Sequence, residues 1–156
     1  MANFLKCLQT SRVITRLKAK KKADAIREIG SLFEEGPEVS DLRSFLSKLF
    51  QREANFTSSV EHGVVLPHYS DKSINIPIVG LGISEKGIDW GEDEAAHIVI
   101  LVGWPDRHDQ AYLQMVAEIA SLFRKESIRE GLLAATSAEE VVSVLKSGGT
   151  PVKTAS

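Results

Sequence analysis

One uninterrupted apolar run constrains the fold of this chain more than any other segment. Residues 97–102 read His-Ile-Val-Ile-Leu-Val, with no polar residue after the histidine. A strand with one solvent-facing side alternates apolar and polar residues, whereas a continuous run indicates a strand that is covered on both faces. We therefore expect this run at the centre of a sheet with helices on both sides.

Three further segments have strand character, namely residues 13–17, 64–66 and 76–83. The first is rich in β-branched residues, and a short helix is compatible with the residues before it. The second is a short buried strand between Gly63 and Pro67. Pro77 restricts the start of the third to an edge or an unpaired position. Residues 85–87 are predicted to form a turn.

Four segments show helical spacing of apolar residues: Ile26, Ile29, Leu32 and Phe33; then Leu42, Phe45, Leu46, Leu49 and Phe50; then Tyr112, Met115, Val116, Ile119 and Phe123; and finally Val141, Val142 and Leu145. Such spacing places one apolar stripe against a core. Ser40 or Asp41 can cap the second helix, and Ser137 to Glu140 matches a capping box for the last one.

Strands that alternate with helices on this scale predict an α/β fold. We expect a single layered domain with a mixed or mostly parallel sheet of about four to five strands, flanked by helices on both sides. The length of 156 residues and the 43% hydrophobic content suffice for one core. The predicted domain spans residues 1–147, and residues 148–156 are predicted to be a C-terminal tail.

Charge and cysteine content exclude several classes of function. A net charge of -2 and a pI of about 6.1 give no general attraction to nucleic acid or to an anionic membrane. The basic run at residues 18–22 lacks interleaved aromatic residues, so we interpret it as a solvated helix start. The single cysteine, Cys7, fits a reducing compartment, and no run approaches the ~20 apolar residues of a membrane span. A cytoplasmic protein without membrane insertion is expected.

His68 follows the strand at residues 64–66 directly after Pro67. We expect it where the strand ends in a loop, held by the sheet and accessible to partners. A lone histidine in such a place is commonly a surface or hydrogen-bonded residue. His62 and His68 lack the accompanying carboxylates or cysteines of a metal site, so neither a metal nor a cofactor is predicted.

The residues around His68 carry a family resemblance. Arg52-Glu53, then Thr57-Ser58, then Val60, then Gly63-Val64-Val65-Leu66-Pro67-His68 resembles the signature of EIIA domains of the bacterial phosphoenolpyruvate-dependent phosphotransferase system, fructose/mannitol type. The segment 88–90, the apolar strand at 98–102 and the helix after His108 follow in the order of that family. Among its members the chain is most similar to the stand-alone nitrogen-regulatory EIIA proteins.

The resemblance implies that His68 accepts a phosphoryl group at Nε2 from a histidine-containing phosphocarrier protein. The chain would then be a phosphohistidine carrier rather than a turnover enzyme. Phosphoryl transfer requires mainly positioning and charge stabilisation. Arg52 would supply the cation, and Ser58 with Thr57 would supply hydroxyl donors to the phosphoryl oxygens.

Two positions near the site leave alternatives open. Family members commonly carry a second active-site histidine at the start of the helix after the central strand, and either His108 or Asp109 occupies that position here. An aspartate would repel phosphate, so the choice alters the electrostatics of the site. Tyr69 follows His68 where the family usually has a small residue.

Two functions follow from the resemblance. In the first, phosphorylation of His68 switches the binding of a regulated kinase or transporter. In the second, His68 relays the phosphoryl group to an EIIB domain for uptake of a fructose- or mannitol-type sugar. We expect the first as the main role, because no transport segment accompanies the domain in this sequence.

Overall fold

The computed structural model describes residues 2–107 and 109–149. Its centre is the strand that the apolar run predicts. This strand, β6, is longer than the run and spans Ala96–Pro105. Alternate side chains enter two separate cores: Ile98, Ile100 and Val102 face one core, and Val99 and Leu101 face the other. The absence of polar alternation therefore reflects burial on both sides, as predicted.

The sheet has six strands, whose bounds are β1 Val13–Ile14, β2 Ser59–Glu61, β3 Val64–Val65, β4 His68–Asp71, β5 Ile78–Ile88 and β6 Ala96–Pro105. The order is β1-β5-β6-β3-β2, and β4 also pairs with β6. The β1-β5, β3-β6 and β4-β6 pairs are parallel, whereas β5-β6 and β2-β3 are antiparallel. The predicted mixed, mostly parallel sheet is confirmed.

The sixth strand arises because one line of pairing is interrupted. β3 pairs with β6 from Val64 opposite Ile98, and β4 resumes in the same register with His68 opposite Val102. Leu66 and Pro67 separate the two pieces. In the strand order of the sheet, β3 and β4 therefore occupy the same place beside β6.

The helices are α1 Ala2–Cys7, α2 Lys22–Gly30, α3 Leu42–Asn55, α4 Gln110–Phe123, α5 Glu126–Ala134 and α6 Ala138–Lys146, with short 3-10 helices at Thr10–Arg12 and Ser31–Phe33. Buried residues of α1, α4, α5 and α6 belong to one core, and those of α2 and α3 belong to the other. Helices thus cover both faces of the sheet, as predicted. The sequence reasoning did not anticipate α5.

Two predicted caps are present. The Asp41 carboxylate accepts a hydrogen bond from the Ser44 amide, so Asp41 rather than Ser40 caps α3. The Ser137 hydroxyl accepts from the Glu140 amide at the start of α6. The Glu140 carboxylate accepts hydrogen bonds from the Thr136 amide and hydroxyl, and not from Ser137 as a capping box requires.

Three local predictions were wrong. The first strand is only two residues long, because the chain leaves β5 after Ile14. Residues 85–87 are not a turn between elements but belong to β5, as an irregularity between Ile83 and Ile88. His68 does not end a strand: it is the first residue of β4.

Among the described residues no helix is long and apolar enough to cross a membrane. The structure describes Gly148 and Gly149 of the predicted tail, and residues 150–156 lie outside the described part of the chain.

Candidate functional site

The interruption between β3 and β4 determines how His68 is held. Pro67 has no amide hydrogen, and the Leu66 carbonyl accepts its hydrogen bond from a side chain. That donor is the Nδ1 atom of His68, at 2.6 Å. The imidazole is therefore fixed by backbone on the same short segment that carries it.

This hydrogen bond selects the tautomer of His68. A carbonyl oxygen only accepts, so Nδ1 carries the proton in the bond to Leu66. In the neutral ring, Nε2 then keeps its lone pair. Nε2 is the nitrogen with nucleophilic character.

Burial is the largest cause that lowers the pKa of His68 below its ordinary value. The Arg52 guanidinium lowers it further, whereas the Leu66 carbonyl and the Glu53 carboxylate act in the opposite direction. A lowered pKa favours the neutral ring at neutral pH. The environment thus favours the form of histidine that can attack an electrophile.

Arg52 lies in the last turn of α3 and its side chain is exposed. Its guanidinium carbon lies 5.9 Å from the centre of the Phe56 ring. The same guanidinium lowers the pKa of both His68 and Tyr112, which places its charge within reach of both rings. The predicted cation is therefore near the histidine.

Glu53, the next residue, is the buried centre of the site and is only 2% exposed. Its carboxylate accepts hydrogen bonds from the Ser58 amide at 3.0 Å, from the Ser58 hydroxyl at 2.8 Å and from Trp90 Nε1 at 2.9 Å. It therefore ties the end of α3 to the loop before β2 and to the residues after β5. Ser58 in turn anchors Leu66, whose amide donates to the Ser58 carbonyl.

This network changes the predicted role of Ser58. A hydroxyl has one proton to donate, and here the Glu53 carboxylate receives it. Ser58 is thus placed beside the site but is not a free donor in this structure. Thr57 is exposed, and its hydroxyl makes no hydrogen bond with the described residues.

His108 lies outside the described residues, but its alternative Asp109 is described. Asp109 caps α4 by accepting from the Ala111 amide at 2.9 Å, and it accepts from Arg107 Nε at 2.8 Å. The Arg107 hydrogen bond is the largest cause that lowers the pKa of Asp109. The chain's own carboxylate therefore caps the N-terminal end of α4.

A surface pocket of about 440 Å³ lies beside His68 and is lined by Arg52, Tyr69, Ser70, Arg107, Asp109, Gln110, Tyr112 and Leu113. The rings of His68 and Tyr112 meet edge to face, with centroids 6.1 Å apart. Burial raises the pKa of Tyr112 to about 12, so its phenol stays protonated at neutral pH. The replacement that the resemblance points out, Tyr69, is part of this pocket wall.

The sequence predicted five site residues, namely Arg52, Thr57, Ser58, His68 and His108. Glu53 was part of the family signature but was given no role, and Tyr112 was assigned only to a helical stripe. A signal for Glu53 was present, because position 53 continues the apolar stripe of Phe45 and Leu49 at intervals of four. A carboxylate on a buried face needs hydrogen-bond donors, and these point to a local network. Tyr112 shares its helical stripe with core residues, so spacing alone did not distinguish it.

Comparison with known proteins gives a single family. Residues 6–148 match the model for "Phosphoenolpyruvate-dependent sugar phosphotransferase system, EIIA 2". A fructose-specific EIIA component of Haloferax volcanii is 29% identical over 126 residues, which cover 80% of this chain and 82% of that protein. A fructose-specific EIIABC component of Bacillus subtilis is 21% identical over 83% of this chain, and the match spans only 21% of that longer protein.

Solved structures share the fold. The nitrogen regulatory protein IIA-Ntr from Neisseria meningitidis superposes with a TM-score of 0.83 at 21% identity, covering 92% of this chain and 99% of the other. The mannitol enzyme IIA from Escherichia coli, solved in complex with phosphorylated mannitol enzyme IIB, gives 0.77 at 21% identity, covering 90% and 97%. At this identity these likenesses establish the fold alone.

Proposed function

The chain belongs to the EIIA type-2 family of the phosphoenolpyruvate-dependent sugar phosphotransferase system, and on that premise we propose that His68 accepts a phosphoryl group at Nε2 from a histidine-containing phosphocarrier protein. The observation that carries this proposal is the 2.6 Å contact between Nδ1 of His68 and the Leu66 carbonyl. It leaves Nε2 as the nitrogen that attacks phosphorus. The Nε2–P bond forms as the N–P bond of the donor breaks, and that bonding pair returns to the donor's nitrogen.

Arg52 is the proposed electrostatic partner of the phosphoryl group. Its exposed guanidinium is close enough to lower the pKa of His68, and it lines the adjoining pocket. A positioned cation stabilises the charge on the equatorial oxygens during transfer. Within the described residues the Thr57 hydroxyl has no acceptor and can donate to the phosphoryl group. The Ser58 hydroxyl can do so only after its hydrogen bond to the Glu53 carboxylate breaks.

We also propose His108, which precedes α4 by two positions in the sequence, as a site residue. The pKa of Asp109 is lowered, so this side chain is anionic at neutral pH and is paired with Arg107. An anion at this position repels a phosphoryl group. We therefore propose that His108, and not Asp109, acts with Arg52 on the phosphoryl group.

We propose that phosphorylation acts mainly as a regulatory switch in the cytoplasm, within a domain that spans residues 1–147. The name of one structural neighbour, a nitrogen regulatory protein, motivates this proposal. Phosphorylation adds a dianion beside Arg52 and Tyr69, at the mouth of an exposed pocket. A regulated kinase or transporter that reads this surface would distinguish the two states.

The second candidate function is phosphoryl relay to an EIIB domain. The names of the sugar-specific relatives favour it, and so does the likeness to a mannitol enzyme IIA that was solved with its phosphorylated enzyme IIB partner. The two functions share the chemistry of His68 and differ only in the protein that reads or receives the phosphoryl group.

The test is phosphorylation by the general phosphotransfer proteins and phosphoenolpyruvate, with acid-labile phosphate located by mass spectrometry. We expect labelling of His68, its loss in His68→Asn, and full labelling of the matched control His62→Asn. His62 is exposed with φ 56, a conformation that asparagine tolerates. Arg52→Gln is expected to slow labelling by about 100-fold.

Undiminished labelling of His68→Asn would refute the proposal. If His68 is labelled, transfer of the phosphate to an EIIB domain supports relay. Phosphorylation-dependent binding of a kinase or transporter, without such transfer, supports the switch.

A further inference from the structure

A second interrupted strand lies at the other end of the sheet. β1 pairs with β5 through Val13 opposite Leu81, and the chain returns to the same parallel register at a bridge between Lys21 and Asp89. Between these points residues 15–20 separate from residues 83–88, apart from one bond from the Leu17 amide to the Ile83 carbonyl at 2.8 Å. We call the resulting opening the sheet slit.

Backbone on both sides holds the sheet slit open. On the β5 side, Ile83 pairs with Ile98 and Ile88 pairs with Ala96, so β5 has extra residues that bulge from its partner. On the other side, the Lys18 and Ala19 amides donate to the Glu28 carboxylate at 2.9–3.0 Å instead of to β5. The opening is therefore part of the fold and not a gap between side chains.

The slit has a volume of about 690 Å³ and is lined by Arg16, Leu17, Lys18, Ala19, Lys20, Ser84, Glu85, Lys86, Gly87 and Asp89. Pockets for small ligands typically measure about 300–1,000 Å³. The lining carries four cations against two carboxylates, within a chain whose net charge is -2. The slit is therefore a locally positive cavity on a slightly negative protein.

The cations of the slit have no competing partners inside the described part of the chain. Arg16, Lys18, Lys20 and Lys86 form no ion pair there. Asp89 directs one carboxylate oxygen to the Gly91 amide. The positive charge of both walls is thus available to a ligand.

We propose that the sheet slit binds a small polyanion of nucleotide size that carries two or more phosphate groups. Several anionic groups are required because each exposed lysine contributes little by itself. Cations line both walls, Lys86 on the β5 side and Arg16, Lys18 and Lys20 on the other, and this arrangement suits a ligand with separated charges. Leu17 and Ala19, which are partly buried against the core, also line the slit. The proposal does not depend on phosphorylation of His68, because β4 and the slit lie at opposite ends of β6.

The test uses pyrophosphate, ATP and inorganic phosphate as probes, titrated without divalent cations while backbone amide shifts are followed by NMR. Saturable shifts are expected at Lys18, Lys86 and Gly87, with pyrophosphate and ATP binding more tightly than inorganic phosphate. Raising the salt concentration should weaken binding.

A charge-reversal pair identifies the site. Lys18→Glu with Lys86→Glu should weaken binding of pyrophosphate and ATP by about tenfold or more. The control Lys6→Glu with Lys125→Glu makes the same change in net charge at exposed positions elsewhere and should leave affinity nearly unchanged. Arg16→Glu with Lys20→Glu is a second test pair that repeats the experiment if the first fails to fold.

Three results would show that the slit does not bind polyanions. They are shifts confined to the pocket around Arg52 and Tyr112, equal loss of affinity in the test and control pairs, and the absence of saturable shifts with both polyphosphate probes. Inorganic phosphate binding as tightly as pyrophosphate would refute the requirement for a polyanion.

Discussion

Two strands of this sheet are interrupted, and both resume in the register that they left. Leu66 and Pro67 separate β3 from β4, whereas the longer segment 15–20 separates β1 from its bridge at Lys21. The short interruption faces β6 where β6 is regular, and the long one faces β5 where β5 bulges. The first therefore directs one carbonyl to the His68 ring, and the second leaves a cavity.

A carboxylate stabilises each interruption. Glu53 is buried and accepts from the Ser58 amide, the Ser58 hydroxyl and Trp90 Nε1. Glu28 is partly exposed and accepts from the Lys18 and Ala19 amides. Because unsatisfied donors cost more when they are buried, the two carboxylates should differ in their contribution to stability.

The largest effect is expected at Glu53. Glu53→Ala leaves the Ser58 amide and Trp90 Nε1 without an acceptor, and should lower the free energy of unfolding by about 2–4 kcal/mol in urea denaturation. Glu53→Gln keeps one acceptor oxygen and should lower the free energy of unfolding by less. The exposed Glu94→Ala serves as control. A loss below about 0.5 kcal/mol for Glu53→Ala would show that the network is not required.

Substitution of Gly87 tests whether the backbone conformation at this residue fixes the bulge of β5. Its φ is +94°, and an added Cβ would lie 2.9 Å from the Ala95 Cβ. Gly87→Ala should destabilise the protein by about 1–3 kcal/mol in thermal unfolding. Gly91→Ala is the matched control, with φ +82° and nothing within 4 Å of the added atom. Equal losses in the two variants would mean that strain in φ, and not the contact with Ala95, determines the cost.

The regular parts of both interrupted strands were predictable from apolar patterning, but the interruptions were only partly so. Pro67 signalled a break, yet the register that continues through it depends on β6, which lies 34 residues further along the chain. Residues 85–87 resemble a turn, and only pairing of Ile88 with Ala96 places them in β5. Local sequence does not encode these distant pairings.

The candidate site was likewise predictable only in part. Arg52, Ser58 and His68 lie close in sequence, and their spacing indicated a common site. The complete network around Glu53 was not predictable, because its third donor, Trp90 Nε1, comes from another part of the chain. The described residues do not include His108, so that assignment stays a prediction.

Glu28 should show the weaker of the two carboxylate effects. Glu28→Ala returns the Lys18 and Ala19 amides to solvent, so we expect a loss of about 0.5–1.5 kcal/mol in urea denaturation. Faster hydrogen exchange at these two amides would locate the change. The exposed Glu35→Ala is the control. Unchanged hydrogen exchange at both amides would show that Glu28 does not hold this wall of the slit.

The smallest effect concerns the titration of His68. Removing the positive charge in Arg52→Gln should raise the pKa of His68 relative to the wild type, since Arg52 adds to the lowering that burial causes. Tyr112, Tyr69 and Glu53 are unchanged in this variant, and Arg43→Gln, on the same helix, is the control. NMR titration of the ring protons measures the shift. A lower pKa in Arg52→Gln would contradict the placement of the guanidinium.

The same lowered pKa predicts how phosphorylation depends on pH. The neutral ring accepts the phosphoryl group, so the rate should stay constant as pH falls below the ordinary histidine value and decline only at the lowered pKa. The free energy of unfolding changes with pH in the same direction as the rate. The unfolded chain binds the proton first, so stability decreases as pH falls from the ordinary value to the lowered one.

In the proposed function, the contact of Nδ1 with the Leu66 carbonyl leaves Nε2 of His68 to accept the phosphoryl group. Nitrogen-15 NMR of the phosphorylated protein, with coupling to phosphorus, identifies the nitrogen that carries the phosphoryl group. We predict coupling at Nε2, with Nδ1 still bonded to the Leu66 carbonyl. A phosphoryl group on Nδ1, or on a residue other than His68, would contradict the account.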